Sequence, residues 1–547
     1  MNFNYKKNIL HIIFFCLLNL FILTFMPSTT GADNPYLILH LDAVNSEIFF
    51  QELKEGNLPN IEKAFSGGGK IEHGLTLFPG ATPMIVPRMP HGYSTDEYPM
   101  TGWEYYDIEE KRYITDPEPF MKVMSEVPRR SRSLFFLGFP GLDFFARMSI
   151  RNIPSLLEKY NVVEYYWMAT DITGHLFGTE RFYDSLYQFD RAVGSLAQNY
   201  DLSEVNLILY SDHGMVMEDV YTYDETKVLE DKMAEKIEYY KYPNLYLQED
   251  VSPTKIAEKT IGENIFDLVF LKKDQNTVLG FSEAGKFTFT RQGAKYKYEY
   301  EGEDFFSYYE AGYKGDFLNR DQWLSLTKNL KYPGAVPNLY DLTMNPNSGD
   351  LVVVINPPRI PENVFYVEGN HYGITAGDLK VPVLMKGPDL KNLYDLETIW
   401  LHELYTEYIP ETRKNFTNPR RENHSLALYF PTSADPNYEL QVSYSPEYRH
   451  QAGLNYSDEN LKIWYHYDIF SSFLTRIWLG PSLNIKNGRY DSGLSLQTEF
   501  KFDSFGARFN HDFFAETKSS ISLFYDPGSR LRLQFTVPDK IGLQFQF

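Results

Sequence analysis

The spacing of hydrophobic and polar residues divides the chain into two parts that meet near residue 405. In the first part, short apolar runs alternate with stretches of helical period. The runs YLILHLD, YYWMATD and NLILYSD each end in aspartate, and SLYQFDRAVGSLAQNY has the period of an amphipathic helix. Strands that alternate with helices predict an α/β fold, and acidic strand ends place a site along the carboxyl edge of its sheet.

Residues 216 to about 335 interrupt this alternation. They are rich in tyrosine, lysine and glutamate, and contain strand-like pieces such as LVFLKK and KFTFTRQ. We interpret this segment as an irregular insert near the mouth of the site. The α/β pattern resumes at SGDLVVVINP and again at VPVLMKGP, so we predict one catalytic domain over residues 33–405.

A polar linker over residues 406–423 precedes a region of different period, residues 424–547. Segments such as YELQVSY, LKIWYHYDI and LRLQFTV alternate apolar and polar residues, and about eight to ten of them fit at the roughly 9–11 residues of a membrane-spanning strand. The last residues, KIGLQFQF, resemble the C-terminal signal of bacterial outer-membrane barrels, with Lys540, Gly542, Phe545 and Phe547 in the expected places. We predict a small antiparallel β-barrel; a soluble sandwich with one wet face is the alternative.

The barrel prediction has a geometric consequence. A barrel of this size is filled by its own side chains, so a folded domain cannot pass through it. An even number of strands leaves both ends of the barrel segment on the same side of the membrane. We therefore expect the preceding domain to lie in the periplasm of a Gram-negative-type bacterium, with the barrel in the outer membrane.

The N-terminus has the layout of a secretory signal peptide over residues 1–32. Lys6 and Lys7 precede an apolar run from residue 9 to 25, and small residues end at Ala32. An uncleaved membrane anchor remains the alternative, because the run approaches spanning length. The one cysteine, Cys16, lies in this segment, so the mature chain would have no disulfides.

The chain is strongly acidic, and cleavage makes it more so. Loss of residues 1–32 takes away two lysines and no acidic residue, so the formal charge changes from −21 to −23. Such a surface argues against a basic groove for nucleic acid. It is compatible with a small phosphate-ester substrate, because two bound cations would dominate the local field.

Seven side chains along the first domain have the chemistry of a two-metal site. Carboxylates and imidazoles together suit a divalent cation such as Zn²⁺, and a hydroxyl in a Pro/Gly turn completes the parts of a two-metal esterase. Taken singly, each has an ordinary structural explanation, such as a helix cap or a turn residue. In chain order the seven are Asp42, Thr82, Asp171, His175, Asp212, His213 and His371.

The fragments LDAVN, TLFPGATP, MATDITGH, LILYSDHGM and GNHYG, in this order, resemble the alkaline phosphatase superfamily, in particular its type I phosphodiesterase/nucleotide pyrophosphatase branch. The resemblance implies an alkaline-phosphatase-like α/β domain with a central sheet flanked by helices, followed here by the all-β C-terminal region. It also implies a phosphothreonine intermediate on Thr82 and two zinc ions. One zinc would be held by Asp171, His175 and His371, and the other by Asp42, Asp212 and His213 with the Thr82 hydroxyl.

Two departures from this family pattern concern substrate orientation. The branch has an asparagine three residues after its threonine, where this chain has Ile85, and Asn45 or Arg88 could substitute for it. A glycine usually follows the last metal-binding histidine, where this chain has Tyr372. Trp103 and Tyr105 could offer an aromatic face to a base or sugar, although core packing explains them equally well.

The hypothesis from the sequence is an exported, metal-dependent phosphodiesterase or pyrophosphatase. A phosphomonoesterase of the same superfamily is one alternative, because the asparagine is missing. The other is a noncatalytic outer-membrane binding protein with an enzyme-like domain. A sulfatase is disfavoured, because the turn at Thr82 lacks the C/S-x-P-x-R pattern.

Overall fold

The computed structural model describes residues 34–115, 118–119, 150–157, 161–217, 220–362 and 368–410, together with ten strands between residues 423 and 546. The predicted signal peptide, most of the predicted linker and Phe547 lie outside the described residues.

The strands before the barrel region are, in chain order, β1 (Tyr36–Leu41), β2 (Gly69–Leu75), β3 (Tyr105–Asp107), β4 (Arg112–Ile114), β5 (Val162–Trp167), β6 (Asn206–Tyr210), β7 (Tyr221–Tyr223), β8 (Ile237–Lys241), β9 (Asn244–Leu247), β10 (Leu268–Lys272), β11 (Thr277–Ser282), β12 (Gly285–Gln292), β13 (Lys295–Gly302), β14 (Leu351–Val354), β15 (Arg359–Pro361), β16 (Lys380–Lys386) and β17 (Thr398–Trp400). The helices are α1 (Ser46–Glu55), α2 (Pro59–Ala64), α3 (Thr82–Ile85), α4 (Ile153–Leu157), α5 (Ala169–Asn199), α6 (Glu225–Met233), α7 (Pro253–Gly262), α8 (Arg320–Thr327), α9 (Ala335–Met344) and α10 (Ala376–Leu379).

Six strands form a mixed central sheet in the order β17-β2-β16-β6-β1-β5. β1 pairs in parallel with both β5 and β6, and all three strands are buried along their whole length. Continuous apolar runs suit this position, because a parallel strand in the middle of a sheet has no solvated face. The carboxyl ends of β1, β5 and β6 therefore meet at one edge of the sheet, as the sequence predicts.

The two faces of the central sheet pack into separate cores. Leu37 and Leu39 of β1 belong to a core that also contains Phe49 of α1, Ile61 of α2 and Phe189 of α5. On the other face, alternate β1 residues join a larger core built with the second sheet and with α9. The fold class predicted for this part, a central sheet flanked by helices, is confirmed.

The segment expected to be an irregular insert is mostly regular. β8 to β13 form an antiparallel seven-stranded sheet with β14, in the order β13-β12-β11-β10-β14-β9-β8. Here the structure differs from the expectation that β14 returns to the first sheet, because β14 pairs with β9 and β10. A fully buried run such as LVVV carries no periodicity that could assign it to one of two sheets.

The C-terminal strands form a closed antiparallel barrel in chain order, because the first strand pairs with the last. They are β18 (Asn423–Pro431), β19 (Glu439–Glu447), β20 (His450–Ser457), β21 (Asn460–Ser471), β22 (Thr475–Lys486), β23 (Arg489–Phe502), β24 (Phe505–Phe513), β25 (Lys518–Gly528), β26 (Leu531–Val537) and β27 (Lys540–Gln546). The all-β class predicted for this region is confirmed. No helix in the described ranges is long and apolar enough to span a bilayer.

Among the described barrel side chains, most of the buried ones are polar, with Trp464, Trp478 and Phe524 as apolar exceptions, and the large exposed ones are apolar. Lys462 of β21 contacts Asp512 of β24 at 2.7 Å, although these strands are not neighbours, so the contact crosses the interior. Along β25, Ile521 and Leu523 are 52% and 57% exposed, whereas Ser522 between them is fully buried. This arrangement is inverted relative to a water-soluble barrel.

One carboxylate joins two helices on the first face of the central sheet. Asp190 of α5 accepts hydrogen bonds from the backbone N–H of Asn60 (3.0 Å) and Ile61 (2.8 Å) in the first turn of α2. Leu58, which precedes α2, offers no capping side chain. Asp190 therefore supplies in tertiary structure the cap that the local sequence lacks.

We expect Asp190→Ala to leave two buried N–H groups without an acceptor and to cost about 2 kcal/mol of the free energy of unfolding. The measurement is the midpoint of thermal unfolding, followed by near-ultraviolet circular dichroism. Asp190→Asn keeps an acceptor oxygen and should lose less. Equal midpoints for the wild type and Asp190→Ala would contradict this account.

Candidate metal centre

Five of the seven predicted residues come directly from strand ends. Asp42 follows β1, and Asp212 and His213 follow β6. Asp171 and His175 lie in the first turns of α5, just after β5, and their spacing of four places both on one side of the helix. Because the three strands are parallel neighbours, these residues meet at the carboxyl edge of the sheet.

Thr82 reaches the same edge from the turn before it. It is the first residue of α3, after the extended residue Ala81. Its Oγ1 lies 3.2 Å from His213 Nε2 and 3.5 Å from Asp42 Oδ1. Thr82 is partly exposed, whereas Asp42 and His213 are buried. The hydroxyl is therefore at the opening of the site.

His371 is placed by a short backbone pairing between two loops. Val216 and Asn370 exchange both N–H···O bonds, at 2.8 and 3.0 Å. This pairing brings the His371 ring onto the His213 ring, with centroids 3.9 Å apart. Gly214 is required here, because a Cβ at this position would lie 2.1 Å from the carbonyl oxygen of Gly377.

The structure brings the predicted ligands into two overlapping groups. In each group the candidate ligand atoms lie within 4.8 Å of one another; the groups are Asp171, His175 and His371, and Asp42, Asp171 and His213. Asp212 lies beside the second group, with Oδ2 3.6 Å from His213 Nε2. The family resemblance gives Asp171 to one ion only, whereas the geometry places it within reach of both.

The three imidazoles have a common orientation that suits metal binding. Nδ1 of His175 donates to the carbonyl oxygen of Gly369 (2.7 Å), Nδ1 of His213 to that of Gly214 (3.0 Å), and Nδ1 of His371 to that of Gly80. These bonds fix the tautomer, so each Nε2 presents a lone pair to the site. The three Nε2 atoms are therefore oriented toward the site as nitrogen ligands.

The distances between these ligand atoms also fit a cation. Nε2 of His175 and Nε2 of His371 are 3.0 Å apart. Two nitrogen ligands of one tetrahedral zinc are separated by about 3.3 Å. Two lone pairs at such a distance repel each other unless a positive charge lies between them. The donor set of carboxylates and imidazoles is the one that zinc prefers.

Burial and mutual repulsion perturb the acidic groups. Burial, together with the charges of Asp212 and Asp171, raises the pKa of Asp42 well above its usual value. Burial opposes ionisation of Asp171 as well, but His175 and His371 hold its pKa well below the usual value. Among the described residues, no lysine or arginine forms an ion pair with these three carboxylates. Divalent cations would supply the missing positive charge.

The two residues proposed to orient substrate have structural contacts instead. The Asn45 side chain accepts from Ile48 N–H at the start of α1 and donates to the carbonyl oxygen of Met215, each at 2.9 Å. The Arg88 guanidinium is fully buried, donates to the carbonyl oxygen of Met100 and lies over the Tyr98 ring. Ile85 is fully buried too, so these three positions present no polar group to Thr82 in the described contacts.

Aromatic residues flank the ligands in ways that the sequence signalled only in part. Trp103 is half-buried and donates its Nε1–H to the Tyr372 hydroxyl, and the Tyr372 ring stacks on His371 at 4.7 Å. Tyr105 is buried in the core. Tyr166 donates its hydroxyl to Asp42 Oδ2, a contact that no motif indicated. Its only sequence signal is its position in the strand next to β1.

Comparison with known proteins identifies a family. Residues 84–357, half of the chain, match the profile of the type I phosphodiesterase/nucleotide pyrophosphatase family. The matched range contains four of the seven predicted residues and excludes Asp42, Thr82 and His371, which rest on the motifs and the geometry. No curated protein sequence matches the chain.

Similar solved structures are ectonucleotide pyrophosphatase/phosphodiesterase 5 from mouse and human. Both are 13% identical to this chain and cover 70% of it and 95% of their own length, with TM-scores of 0.44 for the murine and 0.41 for the human protein. An inactive variant of the murine protein in complex with AMP gives the same values as the murine protein itself.

Because Asp171 belongs to both ligand groups, we expect Asp171→Asn to weaken zinc binding at both positions. His175→Gln should weaken it at one position only. The measurement is the number of tightly bound zinc ions per chain after equilibrium dialysis, by inductively coupled plasma mass spectrometry. Asp184→Asn, on the exposed face of the same helix, is the control and should bind as the wild type does. One zinc retained at wild-type affinity in Asp171→Asn would refute the shared role.

Proposed function

This chain belongs to the type I phosphodiesterase/nucleotide pyrophosphatase family of the alkaline phosphatase superfamily, and we propose that it hydrolyses phosphoric esters with Thr82 as the nucleophile. The observation that carries the proposal is the position of Thr82. It is the partly exposed hydroxyl beside a buried set of metal-type ligands, 3.2 Å from His213 Nε2.

We propose that the two ligand groups, together with Asp212, hold two divalent cations. The mixture of carboxylate and imidazole donors favours zinc. When bound, the cations would neutralise charge that develops on phosphate oxygens and lower the pKa of coordinated hydroxyl groups and water. The ligands can hold the cations for this role only if they are deprotonated and point toward the metal positions. Burial and the carbonyl contacts of the three imidazoles provide that alignment.

Thr82 performs the covalent chemistry in two steps. The Thr82 hydroxyl gives up its proton to solvent as Oγ1 bonds to phosphorus in line with the leaving oxygen; the bond from phosphorus to the leaving oxygen breaks, and that oxygen takes up a proton from water. Water then cleaves the phosphothreonine and releases phosphate or a phosphomonoester. Thr82 Oγ1 lies 3.2 Å from His213 Nε2 and 3.5 Å from Asp42 Oδ1, and these contacts hold the attacking oxygen beside the metal-type ligands.

A phosphomonoesterase of the same superfamily is the second candidate, favoured by one observation. The position three residues after Thr82 carries a buried isoleucine, Ile85, where the diesterase branch has a polar residue. A monoester keeps an extra charged oxygen that the cations can bind directly, so it depends less on a neutral hydrogen-bond donor at this position.

We expect Thr82→Ala to abolish hydrolysis. Its zinc content should stay close to that of the wild type, because the carboxylate and imidazole ligands are unchanged. Thr82→Ser keeps the hydroxyl and should retain measurable activity. The assay compares bis-p-nitrophenyl phosphate with p-nitrophenyl phosphate in the presence of Zn²⁺, and the preferred ester decides between diesterase and monoesterase. Full activity in Thr82→Ala would remove Thr82 as the nucleophile. Bound zinc without turnover of either ester would favour the binding-protein alternative.

The barrel suggests where the enzyme works. Its outward positions on several strands carry large exposed apolar side chains, and its inward positions carry buried polar ones, among them the ion pair of Arg508 and Glu499 at 2.6 Å. An apolar outer band and a polar interior are what a bilayer requires of a membrane barrel. We therefore propose that the chain is exported and anchored in an outer membrane, with the hydrolase domain on the periplasmic side.

If the barrel lies in a bilayer, Leu523→Arg should destabilise it. Leu523 is in the middle of β25 and points outward, and a charge on the lipid face near the bilayer centre costs about 2–4 kcal/mol. The measurement is folding of the full chain into phosphatidylcholine vesicles, titrated with urea. Leu523→Phe keeps an apolar side chain and is the matched control. A soluble sandwich would show no loss for Leu523→Arg.

A further inference from the structure

A buried histidine lies directly behind the proposed metal centre, where the sequence analysis assigns no function. His40 is fully buried in β1, two residues before Asp42. Its ring lies between the rings of Tyr166 (4.1 Å) and Tyr210 (4.7 Å), its neighbours across the sheet on β5 and β6. Both pairs are nearly parallel, so the imidazole plane has little freedom to rotate.

Both ring nitrogens of His40 face carboxylates. Nδ1 lies 3.1 Å from Oε1 of Glu164, and Nε2 lies 3.4 Å from Oδ1 of Asp212. Glu164 in turn accepts from the Tyr210 hydroxyl (3.1 Å), which accepts from the Tyr405 hydroxyl (3.1 Å). A continuous polar chain thus leads from Asp212 into the core, through side chains that are all buried.

Stability alone does not explain this row of buried polar side chains. Burial of a histidine between two carboxylates costs desolvation, and well-packed apolar residues in such places are often as stable or more so. The same face of β1 otherwise carries residues such as Ile38, and β6 carries Ile208. On the same face, His40 and Glu164 follow one another behind Asp212, where Asp212 needs a partner on the side away from the proposed cation.

We propose that His40 is a positioning residue, which holds Asp212 in its metal-binding orientation and is itself held by Glu164. Outer partners of this kind fix the direction of a ligand and tune its affinity, typically by 10–100-fold. The inference rests on the proposed function, because Asp212 must be a zinc ligand for the contact to matter. His40 touches no substrate and no reacting atom.

Two substitutions at His40 separate its two contacts. In His40→Asn, the amide nitrogen falls near the position of Nδ1, so the contact with Glu164 is kept and the contact with Asp212 is lost. In His40→Gln, the amide nitrogen falls near the position of Nε2, so the contact with Asp212 is kept. The experiment measures zinc affinity of the full chain by competition with a fluorescent chelator, and the thermal midpoint of the metal-free protein.

We expect wild type to bind two zinc ions tightly. In His40→Asn one of the two should weaken by about 10–100-fold, and the other, at Asp171, His175 and His371, should not change. His40→Gln should restore most of the lost affinity. Tyr405→Phe, which removes a hydroxyl at the far end of the chain, is the matched control and should bind zinc as the wild type does.

The outcomes that would overturn the proposal are distinct. Two tight zinc ions in His40→Asn would exclude a positioning role and leave the proposed function intact. Equal weakening of both ions in both variants, in step with the thermal midpoint, would show a purely structural role. No zinc bound by the wild type would refute the metal centre itself and with it the role of His40. If neither variant folds, Glu164→Gln tests the same chain from β5, and the same selective weakening of one zinc ion is expected.

Discussion

The convergence of three carboxylates, two buried and one partly exposed, at one edge of a parallel sheet is the constraint on which the rest of the site depends. Asp42 and Asp212 are buried and Asp171 is partly exposed, and burial together with the charges of Asp212 and Asp171 raises the pKa of Asp42 well above its usual value. Neutral imidazoles carry no positive charge that could offset these carboxylates. In the described residues around them, the neighbours with titratable nitrogen are histidines, not lysines or arginines. The loops that carry Thr82 and His371 therefore close around a centre that is electrostatically incomplete without cations.

The sequence predicts this convergence because its signals are local. An apolar run that ends in aspartate marks both a buried strand and the residue at its end, and parallel pairing does the rest. The same local signals do not identify His40. Its partners, Glu164 and Tyr210, lie on two other strands, and only the register of β1 between β5 and β6 brings them together. The sequence predicts Asn45 to orient substrate, whereas its side chain accepts from Ile48 N–H and caps the N-terminus of α1, a role typical of a polar residue just before a helix.

The hydrophobic pattern predicts the strands of the barrel better than it predicts the membership of the second sheet. Period-two alternation predicts the barrel strands well, because each strand separates two unlike environments. It does not say which environment is wet, and the crossing contact of Lys462 with Asp512 supplies that information. In the second sheet, β14 is apolar on both faces, and nothing local distinguishes a strand buried in one sheet from a strand buried in another.

The negative charge of the chain would make binding of the proposed cations and binding of a phosphate ester interdependent. With a formal charge of −21, the protein as a whole repels an anionic ester, but at physiological ionic strength that repulsion is screened beyond about 8 Å. Within that distance of Thr82, the charges of the site itself determine whether an anionic ester is attracted or repelled. With both cations bound, the three carboxylates are neutralised and the site attracts phosphate; with one cation missing, a buried negative charge faces the substrate. By linkage, phosphate must then tighten the binding of the cations as much as the cations tighten the binding of phosphate. Substrate and metal would thus stabilise the same arrangement of side chains, and Asp171, which both ligand groups share, would couple the two proposed cation positions.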